Sequence, residues 1–274
     1  MQVWAAVFDV KLVENEEYDE LYKQALDILD PVSRQKVERF YHRIDSFRGL
    51  VGRLLIRMLL KERGVALDDM SFAATPESKP YVTTSSLAEP IGYNITHDSG
   101  LVAMAFSSGS DLYPDAPAYR IGIDVMLLQL PVRTTFANFV ESVSDQLTPF
   151  EEQLLLPPEP LEIGEALRRF YLIWTLKEAY SKALGMGLGF DYKRIEYDVS
   201  RDVVRIDSVR PIGWKFVRFE VERGDDKYVG VVARYVGEQD LARGECYVEF
   251  RPGGDWLKVS DAATFVRRSI RVLK

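Results

Sequence analysis

Apolar positions along this chain change their period several times, and each change marks an element. VWAAVFDV at the N-terminus reads as a strand, and an acidic helical segment follows it. From about Ser33 to Arg63 the pattern is amphipathic, with Phe40, Phe47, Leu50, Leu54 and Met58 at helical spacing. Ser71 to Ser86 reads as loop, and within TPESKP Pro80 biases Lys79 towards an extended backbone. YNITHDSGLVAMAF places His97 in a polar turn beside Asn94 and Thr96, ahead of the turn formers Asp98, Ser99 and Gly100 and a buried strand, LVAMAF.

RIGIDVMLL alternates as a strand, with Ile121, Ile123 and Val125 on one side and Gly122, Asp124 and Met126 on the other. LTPFEEQLLL opens a helix, since Thr148 and Glu151 make a capping box and Pro149 suits the first helical position; a structural role for that pair is sufficient. A later helix carries WTLKEAYSK. There Phe170, Trp174, Glu178 and Lys182 recur every four residues, so one stripe begins aromatic and ends in opposite charges. RIEYDV, KFVRFEVE and KYVGVVARY then suggest antiparallel sheet. The Ser-, Pro- and Gly-rich loop SSGSDLYPDAPAY divides the chain into subdomains at residues 1–119 and 120–274. Helices and a few strands occur in each half, which is compatible with a distant duplication.

Composition narrows the class. A chain of 274 residues, 47% of them hydrophobic, buries a sizeable core. Asp9 and Lys11 interrupt the N-terminal apolar run, and no apolar run is long enough to span a bilayer, so neither a signal peptide nor membrane association is expected. Cys246 is the single cysteine, which excludes an internal disulfide and fits a reducing, cytoplasmic setting. The net charge of −7 argues against general nucleic-acid binding. Residues 31–63 run the other way, with nine Lys or Arg against three Asp or Glu, and predict a basic face, either solvated or turned to a phosphate-rich or acidic partner.

Several groups could carry chemistry. GMGLG, with Gly185, Gly187 and Gly189, follows a helix instead of opening one, so Gly185 is a C-terminal cap and not a dinucleotide fingerprint. Asp124, in the middle of an apolar strand, needs a cation or several donors; a metal and a structural salt bridge would each serve. Glu178 and Lys182 could form a surface pair worth about 0.3–0.5 kcal/mol. Together the strand Asp, the helix Glu with Lys177 and Lys182, His97 and the basic segment make an inventory for phosphoryl transfer around magnesium.

GIDV at 122–125, WTLKEAYSK at 174–182, NITH at 94–97 and SKP at 78–80 resemble the Sfp-type 4′-phosphopantetheinyl transferases, in order and spacing across most of the chain. The resemblance implies an α+β fold, a pseudo-twofold pair of similar α/β subdomains with coenzyme A and Mg²⁺ in the cleft between them. It implies transfer of 4′-phosphopantetheine from coenzyme A to a serine of an apo acyl or peptidyl carrier protein, releasing adenosine 3′,5′-bisphosphate. Asp124 and Glu178 would ligate Mg²⁺, and Glu178 would be the base, directly or through water. Lys182 would hold the pyrophosphate, with Lys177 assisting. Lys79 and His97 would contact coenzyme A phosphates, Thr96 would share the binding turn, and Arg48 and Lys36 would lie near the adenosine 3′-phosphate.

Trp174 is expected to anchor the helix. Where many bacterial members carry a Glu two residues after the strand Asp, this chain has Met126, as in the branch that includes the aminoadipate-semialdehyde-dehydrogenase transferase. A thioether is a poor ligand for a hard cation, so water is expected there. The carriers would be those of fatty acid, polyketide or nonribosomal peptide synthases or aminoadipate reductase, and the enzyme a monomer. A non-catalytic carrier-protein or nucleotide-binding module of the same fold is the alternative, disfavoured by the carboxylate pair. A metal-dependent nuclease is remote.

Overall fold

The computed structural model describes every residue except 14, 114–116, 187–188 and 238–245. Gly187 and part of the inter-strand loop SSGSDLYPDAPAY therefore lie outside the described residues. In chain order the first half contains β1 (Gln2–Val7), α1 (Glu16–Leu26), α2 (Pro31–Glu38), α3 (Arg43–Glu62), β2 (Phe72–Ala74), β3 (Pro80–Val82), β4 (Ile91–Asp98) and β5 (Leu101–Ser108). The second contains β6 (Ile121–Leu127), α4 (Phe136–Ser142), α5 (Pro149–Leu155), α6 (Ile163–Leu184), β7 (Ile195–Asp198), β8 (Val203–Ile206), β9 (Trp214–Arg223), β10 (Asp226–Tyr235), β11 (Tyr247–Phe250), β12 (Leu257–Asp261) and α7 (Ala262–Leu273).

Two four-stranded sheets organise the molecule, in the orders β12-β1-β5-β4 and β11-β9-β10-β6. In each half a strand, a long helix and a hairpin follow one another: β1, α3, β4, β5 and then β6, α6, β9, β10. Both place the third strand between the first and second, with antiparallel pairing throughout. That shared order is the internal repeat expected of the α+β fold.

The division at residue 119 needs correction. After the second sheet the chain returns, β12 pairs in parallel with β1, and α7 packs on α1 and α3 in the first core. Residues 257–273 thus complete the N-terminal subdomain. Their sequence gives the physical reason: α7 is strongly amphipathic, with Ala262, Phe265, Val266 and Leu273 buried, and the first half supplies the uncovered apolar surface for them.

The amphipathic stretch from Ser33 to Arg63 is two helices, broken between Glu38 and Arg43. Ser46 Oγ donates to the Val37 carbonyl at 2.9 Å, satisfying one of the groups left open at the end of α2. Phe40 falls in the break, partly exposed, and its ring covers Gly49 of α3. NITH belongs to strand β4 and not to a turn; the turn itself is Ser99-Gly100. A third core joins the halves: Val3, Ala5, Leu101, Ala103 and Ala105 of the first sheet meet Ile121, Ile123, Val125 and Val232 of the second.

Candidate active site

The site forms where α6 lies on β6. A Cβ added to Gly122 would sit 2.1 Å from the Ala179 carbonyl oxygen and 2.4 Å from the Ala183 nitrogen, so only glycine permits this approach. Gly185, at φ 78°, ends α6 in the left-handed conformation expected of a C-terminal cap. Two residues beyond Gly122, on the same face of β6, stands Asp124.

Asp124 is 5% exposed, and Lys182 Nζ lies 2.6 Å from its Oδ1. Thr96 Oγ1 donates to the same oxygen at 2.9 Å and accepts from Lys182 Nζ at 3.3 Å. The second oxygen, Oδ2, is buried without a hydrogen-bond partner. Burial pushes the Asp124 carboxyl up to about 6, a rise opposed by Lys182 and Thr96 and reinforced by the charge of Glu178. Glu178 is half-buried and makes no ion pair among the described residues; its neighbour is the Tyr192 hydroxyl. Lys182 therefore serves Asp124 across the strand, and the helical surface pair with Glu178 does not form.

Strand β4 holds β6 from the side. At every second position it presents a polar group: Asn94 Oδ1 accepts from Ile123 N at 3.0 Å, Thr96 binds Asp124, and Asp98 Oδ2 accepts from Leu127 N at 2.7 Å. These side chains satisfy backbone donors on the open edge of β6 and fix Asp124 between two anchored amides. His97 points the other way and is exposed, yet its ring is crowded enough that desolvation, with Arg48 and Lys182, holds it below the usual histidine value. Arg48 donates to the Ser99 carbonyl from Nε (3.0 Å) and Nη2 (2.6 Å) and pairs with Asp45 at 2.8 Å, bracing the turn after His97.

Lys177 is a correction. It lies on the opposite face of α6 from the cleft, fully buried, and cannot assist at a phosphate. Its ammonium uses all three protons, on Glu151 Oε2 (2.6 Å) and the carbonyls of Gln146 (2.9 Å) and Tyr192 (3.1 Å). Burial pushes Glu151 up and Lys177 down, each countered by the other. The capping box of Thr148 and Glu151 is present, so Glu151 both caps α5 and anchors α6.

Lys79, expected at coenzyme A phosphates, also lies elsewhere. It is 6% exposed and donates to the carbonyls of Tyr119 (2.7 Å) and Ala183 (2.6 Å), joining the halves at the end of α6. The basic face expected from residues 31–63 is neutralised in part. Arg34, Arg43 and Arg57 pair with Asp27, Asp19 and Asp30, all just outside the segment counted. Lys36 remains exposed on α2 without an ion pair among the described residues. Trp174 stacks on Phe170 at 6.1 Å and meets Tyr192 edge-on, as an anchor of α6 should.

Two carboxylates, one with a buried unpaired oxygen, fit a hard cation that draws its other ligands from a bound phosphate and water. Among the described residues no cluster of three or more metal-binding side chains occurs, and Met126 is half-buried against the second core. Of the residues expected from sequence, the structure brings Asp124, Lys182 and Thr96 into contact, with Glu178 nearby. Sequence reasoning gave Gly122 no role in the site and took Asp98 as a turn former, although the alternation of Asn94, Thr96 and Asp98 is visible as a polar face on an otherwise apolar strand.

Residues 120–233 match the 4′-phosphopantetheinyl transferase superfamily, and residues 16–109 match the family described as 4′-phosphopantetheinyl transferase, N-terminal. The chain belongs to this family. It is 49% identical over its full length, and that of the relative, to the 4′-phosphopantetheinyl transferase pptA of Paxillus involutus. It is 28% identical to the L-aminoadipate-semialdehyde dehydrogenase-phosphopantetheinyl transferase of Mus musculus, over 64% of this chain and 54% of the relative. A phosphopantetheinyl transferase of Thraustochytrium sp. is 28% identical over 75% of this chain and 69% of its own. The protein is an enzyme that transfers 4′-phosphopantetheine from coenzyme A to carrier proteins.

Proposed function

We propose that the transfer takes place in the cleft between β4, β6 and α6, with Mg²⁺ held by Asp124 and Glu178. The observation that carries this reading is the unpaired, buried Oδ2 of Asp124 close to a half-buried Glu178 that makes no ion pair among the described residues. Held by these two carboxylates, the cation would neutralise charge that builds on the pyrophosphate. Lys182 compensates Asp124 in the free protein and, with substrate present, turns its ammonium to the pyrophosphate. His97, on the outer face of β4 beside Arg48, would meet a phosphate that extends past the strand, and Arg48 and Lys36 lie towards the adenosine 3′-phosphate. Glu178 takes the proton of the carrier serine. That serine oxygen bonds to the phosphorus bearing pantetheine, and the bond from phosphorus to the oxygen of adenosine 3′,5′-bisphosphate breaks.

The partners are acidic apo acyl or peptidyl carrier domains of fatty acid, polyketide or nonribosomal peptide synthases, or of aminoadipate reductase. We place the enzyme in the cytoplasm as a monomer, because two halves of one chain already build the cleft. Coenzyme A binding measured by calorimetry with and without Mg²⁺ tests the metal reading. Affinity should rise with Mg²⁺ in the native protein, and Asp124→Asn should abolish the increment; an increment of the same size in that variant would remove Asp124 from the metal.

A further inference from the structure

Tyr192 stands in a short 3-10 turn (Tyr192–Arg194) that follows the end of α6, and it is 4% exposed. Its two ends are treated very differently. The backbone carbonyl accepts from Lys177 Nζ at 3.1 Å, and the ring meets Trp174 edge-on with centroids 6.1 Å apart, so the residue is fixed in place. The hydroxyl is buried with no hydrogen-bond partner. A buried phenol without a partner is unfavourable by about 1–3 kcal/mol, so a native chain that keeps one suggests a partner in another state.

The candidates lie on α6. Trp174, against which the ring packs, is one helical turn before Glu178, so the phenol lies along the stripe that leads into the cleft. Burial first, and then the negative charge of Glu178, push the Tyr192 hydroxyl far above the ordinary phenol range, with Ser181 and Asp124 as further neighbours. Glu178 makes no ion pair among the described residues, and it approaches the Tyr192 hydroxyl closely enough to act on it by charge and by hydrogen bonding. A buried hydroxyl short of a full hydrogen bond and a carboxylate without a cation thus lie side by side at the floor of the site.

We propose that Tyr192 is a positioning residue for Glu178: its hydroxyl donates to one carboxylate oxygen when coenzyme A fills the cleft, leaving the other oxygen for the cation and the serine proton. The inference rests on the reading of Glu178 as metal ligand and base. Because Lys177 holds the carbonyl of the same tyrosine, the buried Lys177–Glu151 pair then sets the rotamer of the adjacent catalytic residue through Tyr192, and not merely the register of α6.

Tyr192→Phe, Glu178→Gln and the double variant decide it, assayed with coenzyme A, Mg²⁺ and an apo carrier protein. Tyr192→Phe should lower kcat about tenfold, the size expected for a hydrogen bond to a charged group, with KM for coenzyme A unchanged. Thermal unfolding of the ligand-free Tyr192→Phe protein should occur at or above the native temperature, since a buried unpaired hydroxyl is removed. The stabilisation gained on adding coenzyme A and Mg²⁺ should be smaller than in the native protein. In the Glu178→Gln background, Tyr192→Phe should have no further effect on turnover.

Native kcat in Tyr192→Phe, or an equal loss in both Glu178 backgrounds, overturns the inference, as does a lowered unfolding temperature without ligand. If Glu178→Gln itself turns over normally, the reading of Glu178 fails instead, and the two failures are told apart by the single variants.

Discussion

At the scale of single residues the site depends on a charge kept where burial opposes it. Asp124 is enclosed, and only Lys182 and Thr96 compensate one of its oxygens. Asp124→Asn removes the desolvated charge while keeping the shape. It should therefore leave the unfolding temperature of the ligand-free protein unchanged or higher, and reduce turnover at least about a hundredfold. Calorimetric scans and a transfer assay on the same preparation check both halves of that statement.

His97 supplies a pH dependence. Its value in the free protein is lowered by crowding and by Arg48 and Lys182, against the weaker opposing charges of Asp45 and Asp98. If His97 contacts a coenzyme A phosphate as proposed, the bound anion would raise it, so binding would take up a proton and coenzyme A affinity should strengthen as pH falls through the ordinary histidine range. That part of the pH dependence should vanish in His97→Gln; an identical pH profile in the variant would take His97 out of the binding site. Asp124 and Glu178 stood out in the sequence because the first is a polar group where the period demands an apolar one and the second ends a stripe; Thr96 did not, since its segment read as a turn. Lys177 was misread because a helical lysine beside a glutamate looks the same whether it faces solvent or a buried carboxylate 26 positions earlier.

Elements set the distances that those residues need. Helix α6 can bring Glu178 and Lys182 to Asp124 only because Gly122 lets its backbone rest on β6. In Gly122→Ala the new methyl would meet main chain, not a flexible side chain, so α6 must move. The variant should fold with a lower unfolding temperature and lose turnover out of proportion to that loss of stability. The buried pair behind α6 has the opposite signature. Lys177→Met leaves Glu151 enclosed without its cation and should destabilise the fold by about 3–5 kcal/mol, measured by urea unfolding.

Element existence was readable from periodicity, but the continuity of residues 33–63 was not. Two helices meeting at an elbow keep a helical spacing of apolar residues nearly as well as one. What separates them is the Ser46 hydroxyl on the Val37 carbonyl, a contact between turns that no period records.

For the whole molecule, the chain crosses itself. The N-terminal sheet is finished by β12, and α7 covers its core, although both come from the last residues of the sequence. Removal of residues 257–274 should therefore unfold the half that carries β4, and with it coenzyme A binding, even though Asp124 and Glu178 lie in the other half. Circular dichroism and coenzyme A titration of that truncation would show both losses. A sequence reading divided the chain ahead of β6 and could not see the return, because parallel pairing of distant strands leaves no local mark.

The repeated strand, helix and hairpin explain why one chain makes a cleft: each half brings a sheet edge, and β4 meets β6 there through side chains rather than a backbone ladder. The central claim is that this cleft moves phosphopantetheine onto a carrier serine. Intact mass measurement of an apo acyl carrier protein, after incubation with the enzyme, coenzyme A and Mg²⁺, tests it most directly. The account predicts one phosphopantetheine added per carrier with the native protein and only slow, residual addition with Glu178→Gln; unmodified carriers of every class with the native enzyme would contradict it.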